Sequence, residues 1–321
     1  MKNYLLIPAA LFLFLSCKRD ATTPPTPPPT NAEKVTIHLQ LSGDITTSIG
    51  DLRKTSIAAR SAYDSTIYGV NIRTGQGALY AQGLFDNTDS ISIDLLKDSS
   101  YIVNVAAIKR GSGLGLWWQL SVNGGKQYAY PIHRILQNRM VYAVNETMEP
   151  GFIDSLNNMS IVTDTLANTF AKYPLSQADT YFGSTNYTAR DASNTTISLL
   201  LKRLAFAIRY DVHNLTSGYV QATYGGQMMP DTLRTNDTLP IRIYTADLFR
   251  TQDSIPGAQL QVTLTWIKGG GNAIVLGTKP VRPKRSSLTA ISVFLNTDSL
   301  NVSPNFQLTD TAWTGTTNFD F

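Results

Sequence analysis

Alternation of apolar and polar residues with period two runs through most of this chain, and it leaves little room for anything but a β fold. In "VTIHLQL", Val35, Ile37, Leu39 and Leu41 fall on one side and Thr36, His38 and Gln40 on the other. A strand turns successive side chains to opposite faces, so a run like this buries one face and wets the other. "SISIDL" repeats the pattern with Ile91, Ile93 and Leu95. "YIVNVAAI" is apolar on both faces, with Tyr101, Val103 and Val105 against Ile102 and Ala106, and reads as a central strand. "KDSS" between those two runs reads as a hairpin turn, and "VNGGKQY", with Asn123 before two glycines, as another.

The second half behaves alike. "RLAFAIRYDVHNL" sets Leu204, Phe206, Ile208, Tyr210 and Val212 against Ala, Arg, Asp and His. "AQLQVTLTWI" alternates through Leu260, Val262, Leu264 and Trp266 before "KGGGN" turns the chain, and "LTAISVFL" is the last strong strand. Helical periodicity has one candidate, Ile132 to Tyr142. The tail keeps spaced anchors at Leu300, Val302, Phe306, Leu308, Trp313, Phe319 and Phe321. It reads as a closing strand of its own sheet, with exchange into a neighbour's open edge as the alternative.

Short strands at even spacing with Gly, Asn and Asp turns predict antiparallel sandwiches. The polar stretch "NETMEPGFIDSLNNMSIVTD", 145–164, is the expected boundary. The expectation is an all-β chain with two tandem antiparallel β-sandwich domains, 32–160 and 161–321, without a clean internal repeat between them. At 42% hydrophobic content there is material for real cores.

Before them stands a different kind of sequence. Lys2 precedes an apolar run from Tyr4 to Leu15, which as a helix spans about 18 Å against roughly 30 Å of bilayer hydrocarbon. Pro8 weakens that helix further. The run reads as a signal peptide, 1–16, rather than a membrane span. The chain's sole cysteine, Cys17, follows Ser16 directly, and a lone cysteine makes no intrachain disulfide. Its setting resembles the signal of bacterial lipoproteins, in which a small residue precedes the cysteine that takes diacylglycerol. Leu15 and Phe14 depart from the commoner Ala or Ser and Leu. Ordinary signal cleavage is the alternative. Two or more acyl chains give lasting membrane attachment. The residues that follow, "KRDATTPPTPPPT", carry five prolines between Pro24 and Pro29 and read as a tether, 17–31, either extended polyproline II or a spacer of no set length.

Chemistry is harder to find. A formal charge of +4 over 321 residues argues against nucleic acid as the main partner. The locally basic "KPVRPKR", Lys279 to Arg285, reads as a solvated loop. His38, His133 and His213 stand far apart and make no zinc spacing. No nucleophile elbow, phosphate-binding loop or calcium loop is present. The expectation is therefore no enzyme, no cofactor and no metal. Trp117 and Trp118 are neighbours that must face opposite sides of a strand, so one is a candidate ligand platform for a sugar ring. Core and edge packing use Trp the same way.

Three places together resemble the fimbrillin-type surface lipoproteins of Bacteroidetes, the major, anchor and accessory subunits of fimbriae. They are the signal and tether, "LYAQGLFDNTDSISIDLLKDSSYIVNVAAI" at 79–108, and "YFGSTNYT" with "TTISLLLKRLAFAIRYDV". The resemblance implies transthyretin-like sandwiches and a structural role at the outer membrane surface through strand-mediated contacts with other fimbrial subunits. It also makes Arg60, in "SIAARSAYD", a candidate processing site, with a plain loop arginine as the alternative. If the chain is not cleaved there, an anchor or accessory subunit that keeps its lipid is the expectation. The competing class is a glycan-binding surface lipoprotein that uses the tryptophans.

Lipidation has a direct test. Cys17→Ala is expected to leave the precursor unprocessed or to release the protein from the membrane fraction on sedimentation. Processed Cys17→Ala protein that still sediments with membranes contradicts the reading.

Overall fold

The alternating runs become a set of short strands with almost no helix. The computed structural model describes residues 33–47, 66–109, 118–120, 124–128, 132, 134–143, 162–164, 169–171, 178–190, 195–224, 230–235, 241–254, 259–295 and 305–312. Among them, helix is limited to one turn at Asp44–Thr47 and the 3₁₀ turns Thr88–Ser90 and Asp247–Arg250. No helix among them is long and apolar enough to cross a membrane.

The first sheet has eight strands. In chain order they are β1 (Lys34–Gly43), β2 (Ile67–Thr74), β3 (Leu79–Phe85), β4 (Ser92–Leu96), β5 (Ser100–Lys109), β8 (Met140–Tyr142), β11 (Asp179–Thr188) and β12 (Thr196–Arg203). In space they run β4-β1-β12-β11-β5-β2-β3-β8. The alternation holds where it was read: Val35, Ile37 and Leu39 of β1 are buried, and the residues between them are exposed. Ile37, Ile93, Leu95, Val103, Val105, Ile72, Leu199 and Leu201 share one core inside the curled sheet. Each such side chain contributes roughly 1.5–3 kcal/mol by leaving water. β5 is central, between β11 and β2, and its second face carries Ala106 and Ile108 into a smaller cluster with Ile67, Leu84, Tyr128 and Ile132.

The curl has a cause at the β11–β12 pair. Only Tyr181↔Arg203 and Phe182↔Lys202 stay in register before the two strands part. Gly183 lies against β12 so closely that a Cβ would meet the Leu200 carbonyl oxygen at 2.5 Å. Glycine permits that approach, and the sheet folds over on itself there.

From Leu204 the chain builds a second pair of sheets. One has the order β16-β13-β19-β20, from β13 (Ala205–His213), β16 (Ile241–Thr245), β19 (Ser287–Phe294) and β20 (Asn305–Ala312). The other has the order β15-β14-β17-β18, from β14 (Tyr219–Tyr224), β15 (Asp231–Leu233), β17 (Leu260–Ile267) and β18 (Ala273–Val281). Phe206, Ile208, Tyr210, Ile291 and Val293 from the first meet Val220, Val262, Leu264 and Trp266 from the second in one core. Two small ribbons complete the described strands, β6 (Trp118–Leu120) with β7 (Lys126–Tyr128), and β9 (Val162–Asp164) with β10 (Thr169–Ala171).

Several expectations need correction. β11 and β12 fall in the span assigned to a C-terminal domain, 161–321, yet they pair with β5 and β1. The change of sheet comes at Leu204 rather than at 160, and Glu33–Phe321 form one compact unit. The polar stretch 145–164 lies largely outside the described residues, and sheet membership is decided by non-local pairing rather than by local polarity. Nor is the pairing uniformly antiparallel, because β1–β12 and β13–β19 are parallel. "KDSS" turns the chain with Asp98 at φ 59, but β4 then pairs with β1 and β5 with β11 and β2, so the turn is an arch and not a hairpin. The expected helix at 132–142 is an isolated bridge, Gln127↔Ile135, followed by strand β8. By contrast, "VNGGKQY" does close the β6–β7 hairpin and "KGGGN" the β17–β18 hairpin. The tail strand β20 lies antiparallel on β19 of its own chain.

Candidate functional site

Two constellations of side chains close parts of this fold, and one strand edge remains open to a partner. The first is at the corner between β11 and β12. Arg203 donates from Nε and Nη2 to the two carboxylate oxygens of Asp179, both at 2.8 Å, with the side chains 6% and 5% exposed. The Tyr181 hydroxyl donates to Asp179 Oδ2 at 2.6 Å, and the Arg203 guanidinium lies 5.4 Å from the Tyr181 ring centre. Burial alone favours the neutral form of Arg203, but the Asp179 charge and its hydrogen bonds hold the guanidinium above its ordinary pKa. The backbone N–H of Arg203 donates to Asp44 Oδ2 at 2.9 Å, at the end of β1. Arg285 reaches the same Asp44 oxygen at 3.4 Å and donates to Asp253 at 2.6 Å, which holds the Asp253 carboxyl below its usual range.

Directly beyond this corner the first sheet hands over to the second. Leu204 N–H donates to the Thr180 carbonyl at 2.7 Å. Thr245 Oγ1 donates to the Ala178 carbonyl at 2.7 Å, so the Thr180 hydroxyl must supply the proton in the 2.9 Å contact between the two threonines. Phe182 packs against the C-terminal core and against the smaller cluster on the second face of β5, with Arg250 4.7 Å from its ring centre.

The second constellation closes one side of the C-terminal sheets. Asp231 on β15 accepts Arg242 Nε of β16 at 3.1 Å and the Tyr244 hydroxyl of β16 at 2.9 Å. Tyr224 of β14 also donates to Asp231, and Tyr210 of β13 lies 2.7 Å from the Tyr224 hydroxyl. With Tyr224 donating to the carboxylate, that contact takes its proton from Tyr210. The network therefore ties β13 and β16 of one sheet to β14 and β15 of the other. All three tyrosine pKa values are raised, in each case mainly by burial.

The opposite side, where β18 and β20 are the edge strands and run alongside each other, is different. The β17–β18 ladder shifts register between Leu264 and Thr265, where Leu264 pairs with Gly277 and Thr265 with Val275. Beyond that shift Ala273, Ile274 and Val275 are all exposed, Val275 at 65%. The other half of β18 carries Lys279 and Pro280, residues that discourage edge pairing. The half from Ala273 to Val275 carries neither.

Of the residues singled out by sequence, Cys17, Arg60, Trp117 and His133 lie outside the described residues. Trp118 opens β6 opposite Tyr128, with no further detail of its side chain described. His38 is exposed on β1, and exposed His213 stacks on Phe294 at 4.7 Å and 11°. No group of three His, Cys, Asp or Glu able to hold a metal occurs among the described residues. The basic stretch Lys279 to Arg285 is not a solvated loop: its first three residues finish β18, Val281 is buried, Lys284 bridges to Ser254, and Arg285 holds Asp44 and Asp253. The sequence gives Asp179, Arg203 and Asp231 no pairing role, because they look like ordinary turn and strand-end residues. The available signal is a charged residue at a strand end, Asp179 and Asp231 at the start and Arg203 at the finish.

No protein-family model matches the chain, and no curated protein matches it. Solved structures do resemble it. A candidate cell adhesion protein from Bacteroides eggerthii aligns at 11% identity and TM-score 0.42, over 88% of this chain and 97% of its own. The tip fimbrial protein Mfa3 from Porphyromonas gingivalis, with a C-terminal truncation, aligns at 8% and 0.39, over 88% and 100%. A candidate polysaccharide-binding protein from Bacteroides thetaiotaomicron aligns at 12% and 0.37, over 87% and 96%. At these identities and scores the likenesses carry no argument about what this chain does.

The tyrosine network gives a pH dependence with a definite sign. Tyr210, Tyr224 and Tyr244 have folded pKa values raised above the roughly 10 of an unfolded tyrosine. Their contribution is complete below pH about 10 and is lost as pH rises further, because only the unfolded chain then releases those protons. Thermal melts are expected to be flat up to about pH 9 and to fall above about pH 10, with the last tyrosines ionising only as the protein unfolds. Reversible ionisation of every tyrosine near pH 10 in folded protein contradicts the network.

Proposed function

We propose that this chain is an outer-membrane-anchored surface lipoprotein, held by lipid on Cys17, and that it serves as an anchor or accessory subunit of a fimbrium through β-strand-mediated contacts. In this reading the two sheet systems act as tandem transthyretin-like sandwiches carried away from the membrane on the proline-rich tether. The observation that carries it is the asymmetry of the C-terminal sheets. Their β15–β16 side is tied shut by Asp231, Arg242 and Tyr244, whereas their β18–β20 side offers an edge with exposed Ile274 and Val275. An unprotected apolar edge is a template for an added strand: backbone hydrogen bonds supply affinity, and alternate side chains supply register.

The Asp179–Arg203 pair and the Asp231 network join buried side chains across strands, which suits a part that bears load.

Lysines on an exposed edge are a strong deterrent to strand addition. Ile274→Lys with Val275→Lys is expected to cut recovery of the protein with surface fimbriae at least tenfold. Both positions are exposed, so the melting temperature should move by no more than about 2 °C. Undiminished recovery in fimbriae by a folded double variant contradicts the assignment of this edge.

A further inference from the structure

The two outermost strands of the eight-stranded sheet, β4 and β8, share no backbone ladder. Each should therefore leave a row of unpaired amide groups. On β4 that row is identifiable. Lys97 N–H donates to the Glu33 carbonyl on the β1 side, so by alternation Leu95 and Ile93 also face β1, and Leu96 and Asp94 face outward.

Those outward groups are nevertheless occupied. Asp94 N–H donates to the Tyr142 hydroxyl at 2.8 Å. The Asp94 carbonyl accepts the Tyr80 hydroxyl at 3.0 Å. Leu96 N–H donates to the Tyr101 hydroxyl at 3.0 Å. The rings come from three different strands, β3, β5 and β8, and pack together, with Tyr80 4.9 Å from Tyr101 and 5.8 Å from Tyr142. Tyr101 is 2% exposed, and Tyr80 and Tyr142 pack against the same core. Side chains here make the hydrogen bonds that a ninth strand would make.

We propose that Tyr80, Tyr101 and Tyr142 form an autoinhibitory cap that fills the pairing positions of Asp94 and Leu96 on β4's outer edge and withholds that edge from strand addition. The cap also closes the curl, since it joins β4 to β8 and β3 where no ladder does. A tyrosine cap differs from the common ways of blunting an edge. It spends no charge and needs no bulge, and it leaves the backbone of β4 straight and competent to pair once the hydroxyls are gone. Its consequence for the subunit reading above is that strand-mediated contacts do not use the β4 edge. The cap itself does not depend on that reading.

Amide hydrogen exchange tests it residue by residue in the full-length protein. Tyr142→Phe removes the acceptor for Asp94 only, and Tyr101→Phe the acceptor for Leu96 only. The expected pattern is crosswise: Asp94 exchanges at least tenfold faster in the first variant, Leu96 in the second, and Ile93 and Leu95 change less than twofold in either. Exchange that accelerates equally at all four positions, or at none, overturns the cap. Tyr101 is deeply buried, so if Tyr101→Phe fails to fold, Tyr142→Phe against Tyr80→Phe decides. Tyr80→Phe should leave Asp94 N–H protected, because Tyr142 still holds it. The withholding itself is read by sedimentation velocity of Tyr80→Phe/Tyr142→Phe. Concentration-dependent association beyond that of the unsubstituted protein, with Asp94 protected again at high concentration, supports it. A double variant with an exchanging edge and no added association overturns it.

Discussion

A buried ion pair at a strand corner, Asp179 with Arg203, is the constraint on which the rest of this structure rests. It sits where β11 and β12 stop pairing after two residues, and where the chain passes from the first sheet to the second one residue later. Bidentate geometry fixes the direction in which β12 leaves. That direction in turn sets Leu204 against Thr180 and brings Thr245 to Ala178. Asp44 caps the Arg203 amide from the end of β1 and meets Arg285 from the loop before β19. Segments far apart in the sequence thus converge on one guanidinium and its neighbours. Burying two charges costs several kcal/mol per ion, which is offset only where the geometry is as complete as this.

Two kinds of seam follow from that corner. Where the first sheet folds over, its outer strands meet through tyrosine hydroxyls on the backbone of β4. Where the C-terminal sheets face each other, one side is joined by tyrosines and an arginine on Asp231. In both places polar side chains replace a ladder, and the fold is closed without becoming a continuous barrel. What remains is the β18–β20 side. Its half-strand from Ala273 to Val275, paired with β17 on one side, is exposed beyond the register shift at Leu264. The proposed subunit contact uses what the seams leave over.

The strands themselves were legible because their cause is local. A residue such as Ile37 declares its burial through its neighbours Thr36 and His38, and that pattern needs no knowledge of what pairs with it. Pairing is another matter. Nothing in "DTYFGSTNYT" says that it lies between β5 and β12 rather than in a later sheet, since half its positions are polar and its partners stand some 80 residues upstream and 15 downstream. The same gap hid the arch at "KDSS": a tight turn predicts a change of direction, not which strand is met next. The sites were less legible still. Asp179, Asp231 and Arg203 acquire meaning only through partners on other strands, and Tyr80, Tyr101 and Tyr142 look like ordinary strand aromatics until their hydroxyls are seen on β4.

The most direct test is a double-mutant cycle on the corner, read by denaturant unfolding. Arg203→Met leaves a buried carboxylate alone, and Asp179→Leu leaves a buried guanidinium. Each is predicted to lower stability by about 3–5 kcal/mol, with the double variant recovering most of the loss as the two apolar side chains pack. Single variants that cost less than about 1 kcal/mol, or losses that simply add in the double variant, would contradict the claim that this pair holds the two sheet systems in place.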